Sequence, residues 1–204
     1  MSRSFRIIPL MSNPAASAPL AERSDDDLML LSSADRRDAF AVLVERYLPR
    51  LTQFSARFLG GGVEGEEVAQ ETMFQVWAAR REYRPEGRFA TWIFTIARNR
   101  CRNAARHAGL RGRVDMAGAP QGHDPDAPTP AAIDALLEQE RQRRVQEVLL
   151  GLPEKLKEAV LLRFNQGLEY SEIARILGCP EATVRSRVFH GIKRLRAQLA
   201  PEDA

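Results

Sequence analysis

Hydrophobic residues recur at intervals of three and four positions along most of this chain, and this spacing restricts its fold more than any other feature. Such a period places apolar side chains on one face of an α-helix, whereas a half-buried strand would alternate apolar and polar residues. The first stretch contains Leu28, Leu31, Phe40, Leu43, Val44, Tyr47, Leu51, Phe54 and Phe58. The sequence therefore predicts an all-α protein with these residues in its core.

Glycine and proline mark the ends of the predicted helices. The glycines at 60–62 end the first stretch, and further helices are predicted from about Glu64 to Arg81 and from about Phe89 to His107. Near the C-terminus, turn-forming residues at 151–153, 165–167 and 178–180 divide the pattern into four more helices.

Residues 108–131 interrupt the helical pattern. They are rich in Gly, Pro and Asp and contain almost no large apolar side chain, which is typical of a flexible linker. We therefore predict two small helical domains, at 25–107 and 132–200, joined by this linker.

Residues 1–24 are predicted to be a flexible tail, because three prolines fall among serine and alanine. Its apolar run is much shorter than that of a signal peptide, or than the roughly 20 residues of a membrane span. Met11 is a second candidate for the translation start. We expect a cytoplasmic protein with no membrane insertion.

Positive charge is concentrated in two segments, although the net charge of the chain is only +3. From Arg80 to Arg113 there are ten arginines and two acidic residues, and from Arg185 to Arg196 there are five basic residues and no acidic one. Two cationic helical faces are expected of a chain that meets nucleic-acid phosphates at two places. Ordinary solvated helix faces are the alternative interpretation.

The sequence lacks the groups that catalysis or metal binding would need. Cys101 and Cys179 are far apart, belong to no CxxC pair and have no histidines clustered with them, so a structural zinc site is not expected. No GxxxxGK[ST] motif, HExxH motif or nucleophile–base pair is present. We predict no catalytic residue, no metal and no cofactor, and we expect Cys101 to be an inert packing residue.

The segment from Tyr170 to Leu199 has the pattern of a helix-turn-helix. Ser171 is the predicted cap of a short helix, Gly178 permits a tight turn, and Pro180 fits the first turn of the next helix. The apolar stripe of that second helix consists of Val184, Val188, Ile192, Leu195 and Leu199.

The opposite face of the second helix carries the candidate duplex-reading residues, since a recognition helix enters the major groove near its N-terminus. The candidates for base edges are Arg185, Ser186 and His190, and those for phosphates are Arg187, Lys193 and Arg194. Phe189 is an aromatic residue on this polar face, and contact with a thymine methyl group would explain it. Packing of Phe189 under a neighbouring helix is the alternative.

The helix predicted after residue 88 combines a core face with a basic face. The core face has Phe89, Ile93, Ile96 and Ala97, the basic face has Arg98, Arg102 and Arg106, and the edge between them has Trp92, Asn99 and Asn103. An aromatic ring stacks on unpaired bases, and amides both donate and accept hydrogen bonds, so this edge favours single-stranded DNA. For Trp92, ordinary core packing is the alternative.

Three segments in a fixed order resemble one known family. They are GEEVAQETMFQVW at 65–77, FATWIFTIARN at 89–99 and EYSEIARILGCPEATVRSRVFHGIKRLR at 169–196. Together they are similar to the sigma-70 family, specifically its extracytoplasmic-function group, over nearly all of the chain from Asp25 to Leu199. The resemblance implies a promoter-recognition subunit of bacterial RNA polymerase, with a region 2-like domain, a linker and a region 4-like domain.

The resemblance also implies a role for each segment. The first would bind the clamp helices of the polymerase largest subunit through Glu66, Glu67, Gln70 and Glu71. The second would recognise and open the −10 element, with the loop at 83–88 holding a flipped base and with contacts from Trp92, Arg98, Asn99, Arg102 and Asn103. The region 4-like helix would read the −35 element as duplex, and its domain would meet the polymerase flap.

Further partners and one departure complete the expectation. The linker resembles the segment that passes through the RNA-exit path, and such proteins are usually held by an anti-sigma factor that covers both domains. His190 stands where relatives often have arginine, so the −35 preference is expected to differ. A helix-turn-helix regulator with an N-terminal helical domain remains the alternative function.

Overall fold

The computed structural model describes residues 19–85, 88–110 and 130–200, and it describes side chains of these except at 108–110 and 130–135. The α-helices of these ranges are α1 (Asp25–Ser33), α2 (Arg37–Leu59), α3 (Gly62–Ala78), α4 (Phe89–Leu110), α5 (Pro130–Gly151), α6 (Glu154–Val160), α7 (Tyr170–Leu177) and α8 (Glu181–Leu199). Shorter turns are 3₁₀-helical at Leu20–Glu22 and Arg80–Glu82 and π-helical at Leu161–Asn165.

The all-α prediction is confirmed, since the described ranges contain helices and turns but no strand. The predicted breaks at 151–153, 165–167 and 178–180 each fall between two helical segments. Nearly all of the predicted linker, 108–131, and most of the predicted tail, 1–24, lie outside the described residues. None of the helices described is long and apolar enough to cross a membrane.

The first apolar stretch forms two helices, although its periodicity gave no sign of a break. The chain turns at Asp35, which has a left-handed φ of +65°. Arg80 and Arg81 each place a guanidinium nitrogen 2.5 Å from a carboxylate oxygen of Asp35. These contacts hold the turn between α1 and α2 against the end of α3, and they hold the pKa of the Asp35 carboxyl below its usual range.

Helices α2 and α3 cross closely at Gly65. A Cβ atom at this position would lie 2.5 Å from the backbone nitrogen of Ala56. Only a residue without a side chain permits this approach, so Gly65 fixes how α3 lies on α2. The exposed face of α3 is positioned by that contact.

Aromatic rings fill the core of the N-terminal bundle, which we define as α1–α4. The rings of Tyr47 and Phe89 meet edge to face with centroids 4.9 Å apart, and those of Phe54 and Phe94 do so at 5.7 Å. All four side chains are buried. Phe94 was not in the predicted core, because the helical period placed other residues on the buried face of α4.

The C-terminal bundle, α5–α8, packs directly on the N-terminal bundle, and the buried apolar residues of the two form one continuous cluster. Gln146 donates a hydrogen bond to the backbone carbonyl of Arg57 at 3.0 Å, and Lys157 donates to that of Phe58, also at 3.0 Å. These two carbonyls belong to the last turn of α2. The carbonyl groups of a helix's last turn have no N–H donor within the helix. The C-terminal bundle therefore caps α2.

Candidate nucleic-acid interface

The position of α4 is set by a carboxylate from α1. Asp26 accepts a hydrogen bond from the backbone N–H of Phe89 at 3.1 Å and another from the hydroxyl of Tyr83. The first N–H groups of a helix have no partner within it, so this carboxylate acts as a cap supplied from a distant part of the chain. Burial and the Asp26 carboxylate raise the pKa of Tyr83, which keeps its hydroxyl a donor.

Trp92 lies beside this anchored turn and is half-buried. Its ring centroid is 5.0 Å from that of Tyr83 and 6.0 Å from that of Phe89. The packing interpretation and the base-stacking interpretation therefore both retain support, since part of the ring packs and part faces outward. Residues 86–87 of the predicted base-holding loop lie outside the described residues.

Asn99 and Asn103 project from the exposed side of α4, one turn apart. They line a groove of about 510 Å³ between α3 and α4, whose polar walls are Glu67, Glu71, Gln75, Asn99, Arg100 and Asn103. The structure brings the two predicted base-reading amides together in one open groove. Amides in such a place can donate and accept at the edge of an extruded base.

Arg100 was not among the predicted contacts, yet it forms one wall of this groove. Its Nε donates to the side-chain oxygen of Gln75 at 2.9 Å, and a terminal nitrogen pairs with Glu71. The exposed face of α3 and the groove are thus joined through one guanidinium. The spacing of four residues predicted a basic face of Arg98, Arg102 and Arg106, and Arg100 does not lie on that face.

The predicted basic stripe on α4 is divided by the fold. Arg106 is exposed, whereas Arg98 is 13% exposed with its Nε 3.0 Å from a carboxylate oxygen of Glu158. The Nε of Arg102 lies 2.6 Å from an oxygen of Glu154. In this arrangement two of the three predicted phosphate contacts face the C-terminal bundle.

The helix-turn-helix prediction corresponds to α7 and α8. Gly178 has a φ of +62° and makes the turn between them, as its sequence position predicted. The predicted cap, Ser171, is wrong, since Glu169 precedes α7 and Ser171 lies within it. Glu169 and Glu172 form a reciprocal capping box. The carboxylate of each residue accepts a hydrogen bond from the backbone N–H of the other.

The predicted DNA face of α8 is exposed along its length. The exposed members are Arg185, Ser186, Phe189, His190 and Lys193, and Arg187 is half-buried. Phe189 is 65% exposed and has a ring contact only with His190 next to it among the described contacts, so its packing under a neighbouring helix is contradicted. Opposite this face, Val184, Val188 and Leu195 are buried as predicted.

The acidic face of α3 is a third exposed surface. Glu66, Glu67, Gln70 and Glu71 all project into solvent. Val63 and Phe74, each 74% exposed, lie beside them. Neither was predicted as part of this surface, because helical periodicity does not show which apolar residues are exposed. Apolar surface is thus exposed beside the carboxylates of α3.

Models of two protein families match this chain. The sigma-70 region 2 family matches residues 43–111, and the sigma-70 region 4 family matches residues 142–195. The RNA polymerase sigma-H factor of Pseudomonas aeruginosa is 31% identical over 87% of this chain and 95% of its own length. The ECF RNA polymerase sigma-E factor of Haemophilus influenzae is 30% identical over 89% of this chain and 99% of its own length.

Two solved structures have the same fold. CnrH, determined in complex with the cytosolic domain of CnrY, superimposes with a TM-score of 0.67 at 24% identity, covering 87% of this chain and 97% of that chain. RpoE of Bartonella quintana, determined with the anti-sigma factor NepR, has a TM-score of 0.60 at 23% identity, covering 80% and 98%.

Proposed function

This chain belongs to the sigma-70 family, in its extracytoplasmic-function group, and we propose that it binds core RNA polymerase and directs initiation at promoters that its two DNA-reading helices select. The observation that carries this proposal is the pairing of two separate DNA surfaces in one chain. One is an amide-lined groove beside α4, and the other is the exposed basic face of α8.

The two surfaces differ in the form of DNA that they fit. On α8, basic side chains and Phe189 project from one side of the helix, which is the geometry of major-groove reading. On α4, Asn99 and Asn103 line a concave groove, and amides there can bond the edges of bases taken out of a duplex. We therefore assign α8 to the −35 element as duplex and α4 to the −10 element as an opened strand.

We assign the polymerase-binding role to α3. Its exposed carboxylates fit a basic partner, and Val63 and Phe74 add the apolar contact that a stable interface needs at its centre. The two apolar residues lie eleven positions apart, about three helical turns, and so point in nearly the same direction. The largest-subunit clamp helices are the proposed partner.

In the proposed function the protein acts by binding polymerase and DNA, and it catalyses no step itself. Polymerase would fix the spacing of the two surfaces, and capture of unpaired bases would offset part of an unstacking cost of a few kcal/mol per base. We place it in the cytoplasm with the polymerase, with control by an anti-sigma factor as the family membership suggests. We retain two domains, at 25–107 and 132–200, as part of the proposal.

Run-off transcription tests the proposed function. The purified chain is mixed with sigma-free bacterial core polymerase and sheared genomic DNA from the same organism, and the transcripts are sequenced. Discrete starts that share an upstream pair of elements, and that disappear without the chain, are expected. If no chain-dependent transcript forms and the free protein binds duplex DNA as a dimer, the helix-turn-helix regulator replaces this assignment.

A further inference from the structure

The exposed face of α3 carries negative charge that its surroundings leave unpaired. Glu66 and Glu67 project into solvent and form no ion pair in the part of the chain that the structure describes. Glu71, on the same face, is paired with Arg100. Neighbouring carboxylates repel one another, and this repulsion is relieved when a cation binds between them. The face therefore fits a positively charged partner.

Apolar surface lies along the same face. Val63 and Phe74 are each 74% exposed, and they point in nearly the same direction because eleven residues make about three helical turns. Glu67 and Gln70 lie between them on that side of the helix. Exposed apolar groups that are edged by carboxylates form a surface that a basic and apolar segment can cover.

This chain contains such a segment before its first described residue. The N-terminal segment, residues 3–11, reads RSFRIIPLM and has two arginines, five large apolar side chains and no acidic residue. Residues 12–18, which read SNPAASA, connect it to Pro19, where the described structure begins. Small and polar residues of this kind are the composition of a flexible connector. The charge and the hydropathy of the N-terminal segment thus complement those of α3.

Helices α2 and α3 are antiparallel neighbours, joined by the short turn at 60–61. Near the other end of the pair, the rings of Phe40 and Trp77 lie with centroids 4.9 Å apart. Phe74 comes about one helical turn before Trp77. It therefore lies at about the level of residues 43–46 of α2.

The described part of the chain starts at this same level. Arg46 of α2 donates hydrogen bonds to the backbone carbonyls of Ala21 and Arg23. The connector at 12–18 spans up to about 25 Å when extended, which is about twice the diameter of a helix. The N-terminal segment can consequently reach the outer face of α3.

Resting on the proposed function, we propose that the N-terminal segment binds the exposed face of α3 in the free protein and competes there with polymerase. Arg3 and Arg6 pair with the carboxylates of this face, and the apolar side chains cover Val63 and Phe74. A connector of this length supplies an effective concentration of about 1 mM, so that even a weak contact is occupied. A chain that begins at Met11 lacks both arginines and leaves the face uncovered.

The first measurement is a titration of the isotope-labelled chain that begins at Met11 with a synthetic peptide of residues 1–12, followed by nuclear magnetic resonance. The peptide is expected to shift the amide signals of α3 with a Kd of about 0.1 mM. The variant E66Q/E67Q keeps side-chain shape at two exposed positions and should weaken this binding severalfold. The control E138Q/E147Q removes two charges from exposed positions of α5 and should bind the peptide unchanged.

The second measurement compares the affinities of the full chain and of the chain that begins at Met11 for sigma-free core polymerase. With the Kd and the effective concentration given above, the N-terminal segment covers about nine-tenths of the molecules, so its removal raises the apparent affinity about tenfold. In the full chain, R3Q/R6Q should give most of this rise. R3K/R6K keeps both charges and should bind polymerase as the native chain does.

Unchanged α3 signals at millimolar peptide would overturn the proposal. Peptide binding that E66Q/E67Q leaves intact would place the segment elsewhere and would also overturn it. Equal polymerase affinities of the two chains would do the same, since the segment would then not compete. Run-off transcription by the full chain is measured in parallel. Its failure contradicts the proposed function, whereas the peptide titration contains no polymerase and tests the docking independently.

Discussion

Arg50 and Gln166 bind each other in both directions across the two bundles. The Nη2 of Arg50 donates to the backbone carbonyl of Gln166 at 3.1 Å, and the amide nitrogen of Gln166 donates to the backbone carbonyl of Arg50 at 3.2 Å. The same guanidinium lies 5.0 Å from the ring centroid of Tyr47. One side chain thus joins the aromatic core of one bundle to the π-helical turn of the other.

Replacement of Arg50 by alanine is expected to uncouple the bundles. The loss of a charged donor to a largely buried acceptor weakens their association by about 1–3 kcal/mol. Urea unfolding followed by circular dichroism should change from one transition to two. Arg37→Ala, at an exposed position of the same helix, is the control and should leave a single transition. A single unshifted transition for Arg50→Ala would show that the apolar contacts suffice.

Gly65→Ala is expected to destabilise the N-terminal bundle although alanine is the better helix former. The added methyl group would collide with backbone atoms of Ala56, which cannot move aside as a side chain can. Overpacking of this kind costs about 1–3 kcal/mol. Gly62→Ala is the matched control, since a Cβ there meets nothing within 4 Å and should raise stability by up to about 1 kcal/mol. Equal unfolding free energies for the two variants would contradict the close crossing.

Phe189→Ala is expected to lower promoter binding without affecting the fold. The ring is 65% exposed, so its removal leaves no cavity. Loss of its contact with DNA should cost about 1–3 kcal/mol of binding free energy. The measurement is run-off transcription, with the melting temperature followed by circular dichroism. Gln198→Ala, exposed near the other end of α8, serves as the control. Unchanged transcription by the Phe189 variant would remove this residue from the DNA surface.

Phe74→Ala is expected to weaken binding to core polymerase. Its ring is 74% exposed on the acidic face of α3, and apolar anchors of this size dominate the energy of protein interfaces. An affinity reduced about tenfold or more, with an unchanged melting temperature, is predicted by fluorescence anisotropy. Leu30→Ala, an exposed apolar residue of α1, should bind as the native chain does. Equal effects of the two changes would argue against a specific anchor.

Cys101 is expected to be unreactive in the folded protein. It is buried with its Sγ 3.5 Å from the hydroxyl of Ser55, and burial raises the pKa of its thiol to about 11. Because the thiolate is the reactive form, almost none is present at pH 8. In a Cys179→Ser background, iodoacetamide should modify Cys101 only after denaturation, as followed by mass spectrometry. Rapid modification under native conditions would instead indicate that the α2–α4 contact opens.

Local features of this fold could be predicted from sequence because their causes are local. Gly178 makes its turn through its own backbone freedom, and Val184, Val188 and Leu195 are buried because helical geometry alone places those side chains together. The shared exposed face of Asn99 and Asn103 was predicted in the same way, since their spacing fixes it.

Features that depend on distant partners could not be predicted in this way. The stripe of Arg98 and Arg102 was recognised as basic, but its carboxylate partners lie in another bundle, beyond the reach of any periodicity. The break at Asp35 depends on two arginines from the end of α3. The cap of α7 was assigned to Ser171 because serine caps more often than glutamate, and the neighbouring Glu172 reversed that preference.

The carboxylate of Asp26 has a consequence for how fragments of this protein should be designed. It caps α4 from 63 residues earlier in the chain, and it lies before residue 43, where the family similarity to region 2 begins. A fragment cut at that similarity boundary would contain every predicted DNA contact of α4 and lack the group that starts the helix. Its inability to bind DNA would then reflect a frayed terminus, and an intact recognition surface would be misjudged as inactive. The smallest informative fragment begins at Ser24, which caps α1 and so keeps Asp26 in place.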